Sequence, residues 1–441
     1  MASVVELLSR LVEVESVNDP SASRYVGVSE GEEVRRILKE HTGLDMELVE
    51  NEGVPILLYM TGSGRPVTLF MAHFDVVPPG HGWRVTEPFK PLVLEGRLYG
   101  RGAADDKSNV AAISLALSGF EPARGTVVAA FTGDEEIGGG RGAGWLAERL
   151  RSEGLWPDYV VNGDGSMGAV ITRRRNAFNA VVRVKRESGE AEGVSRSVKK
   201  LGLRVRGRPT RHAAYFIPGV DTHPLLEAAA LVREAGLLAS SLSGEWVKSN
   251  VLPGSVELEA LEPGGDGSGV YDAGLTALLA SLIPLSRITP TGLLYSDYGV
   301  TATPNVYRLE GGWHEVVVDV RAMTGDRSVV EEAVARSLEE SLGSRVEWEY
   351  RVEGGGGYLY TPRSAELVRL ALAINTSLGL PGEPREAAGA SDSRYFSPRG
   401  SQAIDYGPLG GNIHGPDEYV YIGHLEVAVE FYRRLASTIH G

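Results

Sequence analysis

The sequence predicts an α/β fold, a mostly parallel sheet whose domain is interrupted by an inserted α+β segment. Three observations predict it. Residues 1 to about 175 alternate short apolar runs with helical patterns, as β-α-β units do. From about 176 the runs alternate apolar with basic or polar residues, the pattern of half-exposed antiparallel strands. After the glycine cluster at 354–357 the first texture returns. Residues 1–175 and 355–441 are therefore expected to form one domain, with 176–354 inserted as a lid of ordinary domain size.

The N-terminal stretch MASVVELLSRLVEVESV reads as an amphipathic helix, and its acids Glu6, Glu13 and Glu15 speak against a signal peptide. VTLFMAHFD (67–75), TVVAAFTGDEE (126–136) and DYVVNGDG (158–165) read as buried parallel strands, with a helix at 108–120 between the first two. In the insertion, 178–186, 201–207, 313–322 and 346–352 read as strands, and 223–239 and 328–342 as helices. A helix at 363–379, a strand at 401–408 and a helix at 425–438 then complete the first sheet.

Composition narrows the chemistry. The 441 residues include no cysteine, which excludes thiolate nucleophiles, disulfide scaffolds, zinc fingers and Cys-ligated iron–sulfur clusters. With 44 basic against 58 acidic residues the formal charge is −14, which disfavours non-specific binding to nucleic acid or anionic membrane. No apolar run is long enough to span a membrane, and a cytoplasmic location is expected. Only 7 lysines and one glutamine, Gln402, resemble a heat-adapted composition, which a GC-rich genome would also produce. The basic run Arg196, Lys199, Lys200, Arg204, Arg206, Arg208, Arg211 invites a nucleic-acid reading, but with the negative net charge it reads as a solvated lid face, attraction of anionic substrates being a third option.

Ligands of open α/β sheets collect at the carboxyl ends of the strands, and several strands here end in potential metal ligands. The first delivers His73 and Asp75, the second Asp134, Glu135 and Glu136, the third Asp164; a loop after 401–408 delivers His414. GRLYGRGAADDKSN adds Asp105 and Asp106 just before a helix, where one carboxylate alone would read as a cap. Together, so many acids in one crevice would repel one another, and one or two divalent ions would relieve it. Imidazole and carboxylate donors favour Zn²⁺, Co²⁺ or Mn²⁺ over Mg²⁺ or Ca²⁺. His73 and Asp75 share a strand face, so Asp75 is suited to accept the other ring N–H of His73. Adjacent Glu135 and Glu136 diverge, leaving one to bind metal and the other to handle a proton.

MAHFDVVPPG (71–80), GRLYGRGAADDKSNV (96–110), FTGDEEIGG (131–139), GASDSRYF (389–396) and YGPLGGNIHGPDEYV (406–420) together resemble the M20 family of metallopeptidases and deacylases. That family includes acetylornithine deacetylase, succinyl-diaminopimelate desuccinylase, glutamate carboxypeptidase and carnosinase-type dipeptidases. The resemblance implies a zinc-peptidase-like catalytic domain and a lid that also dimerises. It implies two divalent metals, zinc first and cobalt or manganese as alternatives. His73 and Asp164 would hold one ion, Glu136 and His414 the other, and Asp105 would bridge them. Glu135 would be general base and acid toward a metal-bridged water, with Asp75 orienting His73, and the peptide after Asp105 would be cis. Asp106 stands where relatives often have Met, and Asp164 where many have Glu followed by Pro, which leaves the substrate subclass open.

RPTRHAAYFIPGVDTHPL (208–225) resembles the family's lid segment and places His212 where a histidine polarises the substrate carbonyl, from the partner subunit in dimeric relatives. Asn305, Arg321 and, less specifically, Arg394 stand where relatives bind substrate, Arg321 on its carboxylate. The implied activity is hydrolysis of an amide bond in N-acyl amino acids or short peptides bearing a free carboxylate, by a homodimer. The rival readings are a catalytically silent metal-retaining binding protein and a two-metal phosphoesterase.

Overall fold

The computed structural model describes residues 3–206, 211–292 and 299–441. The chain divides into two compact units: Met1–Arg174, Tyr358–Ala387 and Ser391–Gly441 form the first, and Arg175–Gly357 with Ala388–Ala390 the second.

Among the described residues the first unit holds a nine-stranded sheet. Its order is Glu47–Asn51, Val54–Ser63, Gly125–Thr132, Val67–His73, Tyr159–Asn162, Gln402–Asp405, Ile171–Arg174 and Leu359–Tyr360, with Arg385–Glu386 also on Ile171–Arg174. The sheet is mixed, which corrects the mostly parallel expectation. Gly125–Thr132, Val67–His73, Tyr159–Asn162 and Gln402–Asp405 run parallel, and both flanks turn antiparallel. Local geometry explains the flanks. Glu52 and Gly53, at φ 47° and 82°, make the tight turn that folds Val54–Ser63 back on Glu47–Asn51. Residues 163–170 are too few for the crossover that would make Ile171–Arg174 parallel to Tyr159–Asn162.

Alternation along the central strands fills a core on each face. Phe70, Ala72, Val127, Ala129 and Phe131 point to the side of Val4–Val12, Val28–Thr42, Lys107–Leu117, Glu366–Ser377 and Ile422–His440. Leu69, Met71, Val128 and Ala130 point the other way, against Leu146, Ala147 and Leu150 of Trp145–Ser152. A smaller antiparallel sheet orders Gly410–Gly411, Tyr419–Tyr421, Arg97–Tyr99 and Leu92–Leu94, so residues 410–421 lie beside the run leading to Asp105.

The second unit contains two antiparallel sheets. One orders Thr301–Glu310, Trp313–Ala322, Asn176–Lys185 and Trp348–Gly354; the other orders Ser188–Gly202, Ser255–Asp272 and Leu238–Gly244. Helices Pro224–Glu234, Ala273–Leu285 and Arg327–Ser341 share its core. The helix expected over 223–239 stops earlier because Gly236, at φ 70°, ends it, and Leu238 opens a strand. The strand expected at 201–207 ends at Gly202 as the tail of Ser188–Gly202, and residue 207 lies outside the described residues. Ser188–Gly202 and Ser255–Asp272 were unreadable as strands because they are rich in Gly, Ser and Glu and largely exposed. Basic residues of the run at 196–211 meet acids here: Lys199 pairs with Glu262, Lys200 with Glu257 at 3.4 Å, Arg204 with Glu227 at 3.2 Å and Arg211 with Glu245 at 2.9 Å. Arg208 lies outside the described residues. No described helix is long and apolar enough to cross a membrane.

Candidate metal centre

The four parallel strands point their carboxyl ends the same way, so the residues following them gather at one edge of the first unit. His73 is the last residue of its strand and is buried. Its Nε2 lies 3.0 Å from Asp105 Oδ1. Nε2 of His414 lies 3.2 Å from the other oxygen of Asp105 and 3.0 Å from Glu136 Oε1. Ligating atoms of His73, Asp105 and Glu136 all fall within 4.8 Å of one another. The peptide between Asp105 and Asp106 is cis.

Asp75 does more than its spacing suggested. The Nδ1 of His73 meets the backbone carbonyl of Asp75 at 3.0 Å, with the Asp75 carboxylate at 3.4 Å. That carboxylate accepts the backbone N–H groups of Glu135 and Glu136, each at 3.1 Å, and the Asn18 amide at 2.8 Å. It therefore fixes the turn Glu135–Ile137 that carries both glutamates, with the His73 ring held beside it. Asn18 also donates to the Gly133 carbonyl at 2.9 Å. Nothing in the sequence marks this asparagine, which sits in a loop far from the acidic motifs.

Asp164 follows its strand as expected but leans on Arg174, whose Nη2 lies 3.2 Å from Asp164 Oδ1. Arg174 also donates to Asp405 through Nε at 2.5 Å, and Asp405 accepts from Ser393 Oγ at 2.5 Å. Asp106 is buried and accepts from Asn109 Nδ2 at 2.6 Å, while Asp134 accepts the Arg141 and Gly142 amides at 3.0 Å each. Asp134 serves the local backbone, whereas Asp106 also accepts the His73 N–H at 3.3 Å. Asp392 is a buried acid that sequence reasoning passed over, although it stands in the quoted GASDSRYF motif. Arg394 donates to the Gly138 carbonyl at 2.6 Å and lies over the Tyr395 ring, so it braces the turn that carries Glu135 and Glu136.

The electrostatics show acids crowded beyond their local positive charge. Burial, with Asp105 and Asp405 repelling against the pull of Arg174, pushes Asp164 up to about 8. Burial and the charges of Asp164 and Asp392 raise Glu135 well above the carboxylate range, and burial raises Glu136 despite its bond to His414. Burial also brings Asp392 up to about 7. The histidines answer in kind. Bonds to Asp105 and Glu136 raise His414 to about 10, and bonds to Asp105 and Asp75 raise His73 although burial opposes them. The converging donors are imidazole nitrogens and carboxylate oxygens, a set that fits Zn²⁺, Co²⁺ or Mn²⁺, and cations among them would relieve the repulsion.

His212, Asn305 and Arg321 belong to the second unit. Arg321 grips Asp319 through Nε at 2.7 Å and Nη2 at 2.8 Å. His212 starts the short turn Ala213–Tyr215, its Nδ1 accepting the Ala214 N–H at 3.1 Å. Burial and the nearby charge of Arg321 lower its pKa and favour the neutral ring. Arg175 ties the two neighbourhoods together by donating to the Ala214 carbonyl at 2.7 Å and to Thr301 Oγ1 at 3.1 Å. Thr301 is the strand partner of Arg321. Asn305 has a different place: it is 0% exposed, with Nδ2 donating to the Ser249 carbonyl and to Thr303 Oγ1 and Oδ1 facing His223 Nε2 at 3.0 Å. It is the extra residue of a β-bulge between Pro304 and Val306.

A mixed α/β sheet with imidazole and carboxylate groups gathered beyond its parallel strands is an arrangement able to hold a metal ion. The chain belongs to peptidase family M20/M25/M40, whose model matches residues 69–438, and it is a hydrolase of amide bonds. It is 27% identical over 412 residues to succinyl-diaminopimelate desuccinylase of Xylella fastidiosa, covering 91% of this chain and 90% of that protein. Its fold is similar to that of aminoacylhistidine dipeptidase from Vibrio alginolyticus, with a TM-score of 0.72, 15% identity and coverage of 99% and 96%. It is also similar, with a TM-score of 0.52, 14% identity and coverage of 99% and 98%, to a Bacillus subtilis protein described as a dinuclear metal binding peptidase of the M20 family.

Proposed function

We propose that the first unit carries a two-metal centre for hydrolysing an amide bond in N-acyl amino acids or short peptides. One observation carries the reading: the two oxygens of Asp105 face different histidines, His73 at 3.0 Å and His414 at 3.2 Å. A carboxylate shared in this way suits a bridge between two ions. His73 and Asp164 would hold one ion, and Glu136 and His414 the other. Divalent ions there, zinc first and cobalt or manganese as alternatives, supply Lewis acidity that polarises a carbonyl and acidifies water to a pKa of about 7.

The side chains do the rest. Glu135 takes the proton of the attacking water and returns it to the leaving amine, a task that its partly buried position and raised pKa suit. Asp75 keeps the His73 ring oriented and holds the turn of Glu135 and Glu136. In the proposed dimer, His212 of the partner subunit donates as a neutral imidazole to the carbonyl oxygen, and Arg321 pairs with the substrate carboxylate. The names of the relatives span deacylase and dipeptidase, and the reading joins them as one substrate class. A homodimer through the second unit is part of the proposal and predicts twice the 47.2 kDa chain mass in light scattering.

The test is metal-stripped protein reloaded with Zn²⁺, Co²⁺ or Mn²⁺ and assayed against N-acyl amino acids, dipeptides and a chromogenic phosphate ester. Metal-restored cleavage of the amides alone is expected. Cleavage of the phosphate ester alone, or binding of metal without any hydrolysis, would overturn the reading.

A further inference from the structure

Glu418 stands four residues beyond His414 and immediately before the strand Tyr419–Tyr421, which pairs antiparallel with Arg97–Tyr99. That pairing sets two distant stretches side by side, residues 100–106 with Asp105 and residues 412–418 with His414. A carboxylate only 1% exposed must be offset by bonds, and Glu418 has them on both oxygens. Oε1 accepts the N–H groups of Ala104 at 2.9 Å and Asp105 at 3.0 Å. Oε2 accepts the Gly102 N–H at 3.1 Å and Nη1 of the equally buried Arg101 at 2.5 Å. The Glu418 carbonyl accepts the Gly100 N–H at 2.9 Å. The Asp105 loop is thus wound around one side chain that comes from the other stretch.

The His414 stretch is tied down as firmly. Asn412, His414 and Asp417 have φ values of 56°, 61° and 55°, left-handed backbone that Asn, His and Asp adopt more readily than other side chains. Asp417 supplies part of the hold by accepting the Arg84 and Val85 N–H groups at 2.9 Å each, and the Asn412 amide donates to the Asp417 carbonyl at 3.1 Å.

We propose that Glu418 is a positioning residue, a clasp that sets Asp105 against His414 before any metal binds. The inference rests on the metal-hydrolase reading above. Fixing the N–H of Asp105 fixes where its carboxylate starts, and the Glu418 backbone fixes where the His414 loop ends. Without the clasp, three loop amides lose their acceptor and the Arg101 guanidinium loses its buried counter-charge.

Two measurements test it. Metal-stripped wild type and the Glu418→Gln variant are titrated with Co²⁺, followed by calorimetry and by the visible Co²⁺ absorption. The variant is expected to bind Co²⁺ about 10- to 100-fold more weakly, with an altered spectrum, as loss of an outer-shell partner does. Glu418→Asp should recover part of both. The second measurement needs no variant: in metal-stripped wild type the amides of Gly102, Ala104 and Asp105 should resist hydrogen exchange. Wild-type affinity and spectrum in Glu418→Gln would overturn the clasp. Exchange of those three amides at the rate of exposed loops would overturn it too, and this decides the matter should the variant fail to fold. Wild type that takes up no Co²⁺ would instead defeat the metal-hydrolase reading, and the clasp with it.

Discussion

Replacing His223 with asparagine should remove an acid-sensitive contribution to the stability of the second unit. His223 precedes the helix Pro224–Glu234; its Nδ1 accepts the Leu226 N–H at 3.4 Å and its Nε2–H donates to Asn305 at 3.0 Å. A proton added at Nδ1 would point at an N–H group, and the ring is buried, so burial brings its pKa down to about 4 from the ordinary 6.5. The sign follows directly. Between these values the unfolded chain takes up a proton that the folded unit refuses, so stability falls as pH falls below 6.5 and is unaffected by this group above it. The loss amounts to about 2 kcal/mol by about pH 5 and about 3 kcal/mol by about pH 4. Asparagine keeps an N-cap acceptor and does not titrate. The assay is urea unfolding of wild type and variant from about pH 7.5 down to about pH 5, taking the difference of the two losses so that common titrations cancel. Wild type should lose about 2 kcal/mol more than the variant over that range. Parallel losses would refute the reasoning, because His223 would then be charged when folded or too exposed to matter. The outcome bears on function as well. The His223–Asn305 bond anchors the bulge that sets the register of Thr301 against Arg321.

Three further outcomes follow from the proposed function. Glu135→Gln should retain metal by elemental analysis while kcat falls at least about 100-fold, as loss of a general base does; near-normal turnover would remove Glu135 from the proton step. Asp105→Ala takes away the carboxylate between His73 and His414, so metal content should drop for both ions, and retention of two ions would show that Asp105 is not shared. Arg321→Lys loses the two-pronged grip on Asp319 and should raise KM about tenfold for substrates with a free carboxylate but not for their amides. Equal effects on both substrate forms would point to a packing role.

Regular elements with strong periodicity were legible in the sequence. The strand Trp313–Ala322 matches its apolar alternation end to end, and Val67–His73 and Gly125–Thr132 read as apolar runs because both faces are covered. The order of those strands and the acids and histidines that follow them were legible too, since a strand ending in a polar residue is a local feature. The resemblance of several motifs, taken in order, pointed to the family, which the match over residues 69–438 shows.

Other features are relations between distant segments, and spacing along one chain does not encode them. Mixed strand direction came from a tight turn at Glu52–Gly53 and a short connection at 163–170. The bulge at Asn305 exists only against its partner strand and shifts the register beyond it, so that Ala302 and Tyr307 enter one core despite their opposite parity. Asp75 spends its carboxylate on the amides of Glu135 and Glu136, and Glu418 spends its own on the loop of Asp105, because burial obliges each carboxylate to find donors wherever packing places them. The sequence by itself determined the donor chemistry, imidazole and carboxylate with no thiol. Only the tertiary structure decided which of those acids share a histidine, which lean on an arginine and which hold the backbone, since a pairing depends on a few ångströms that packing alone sets.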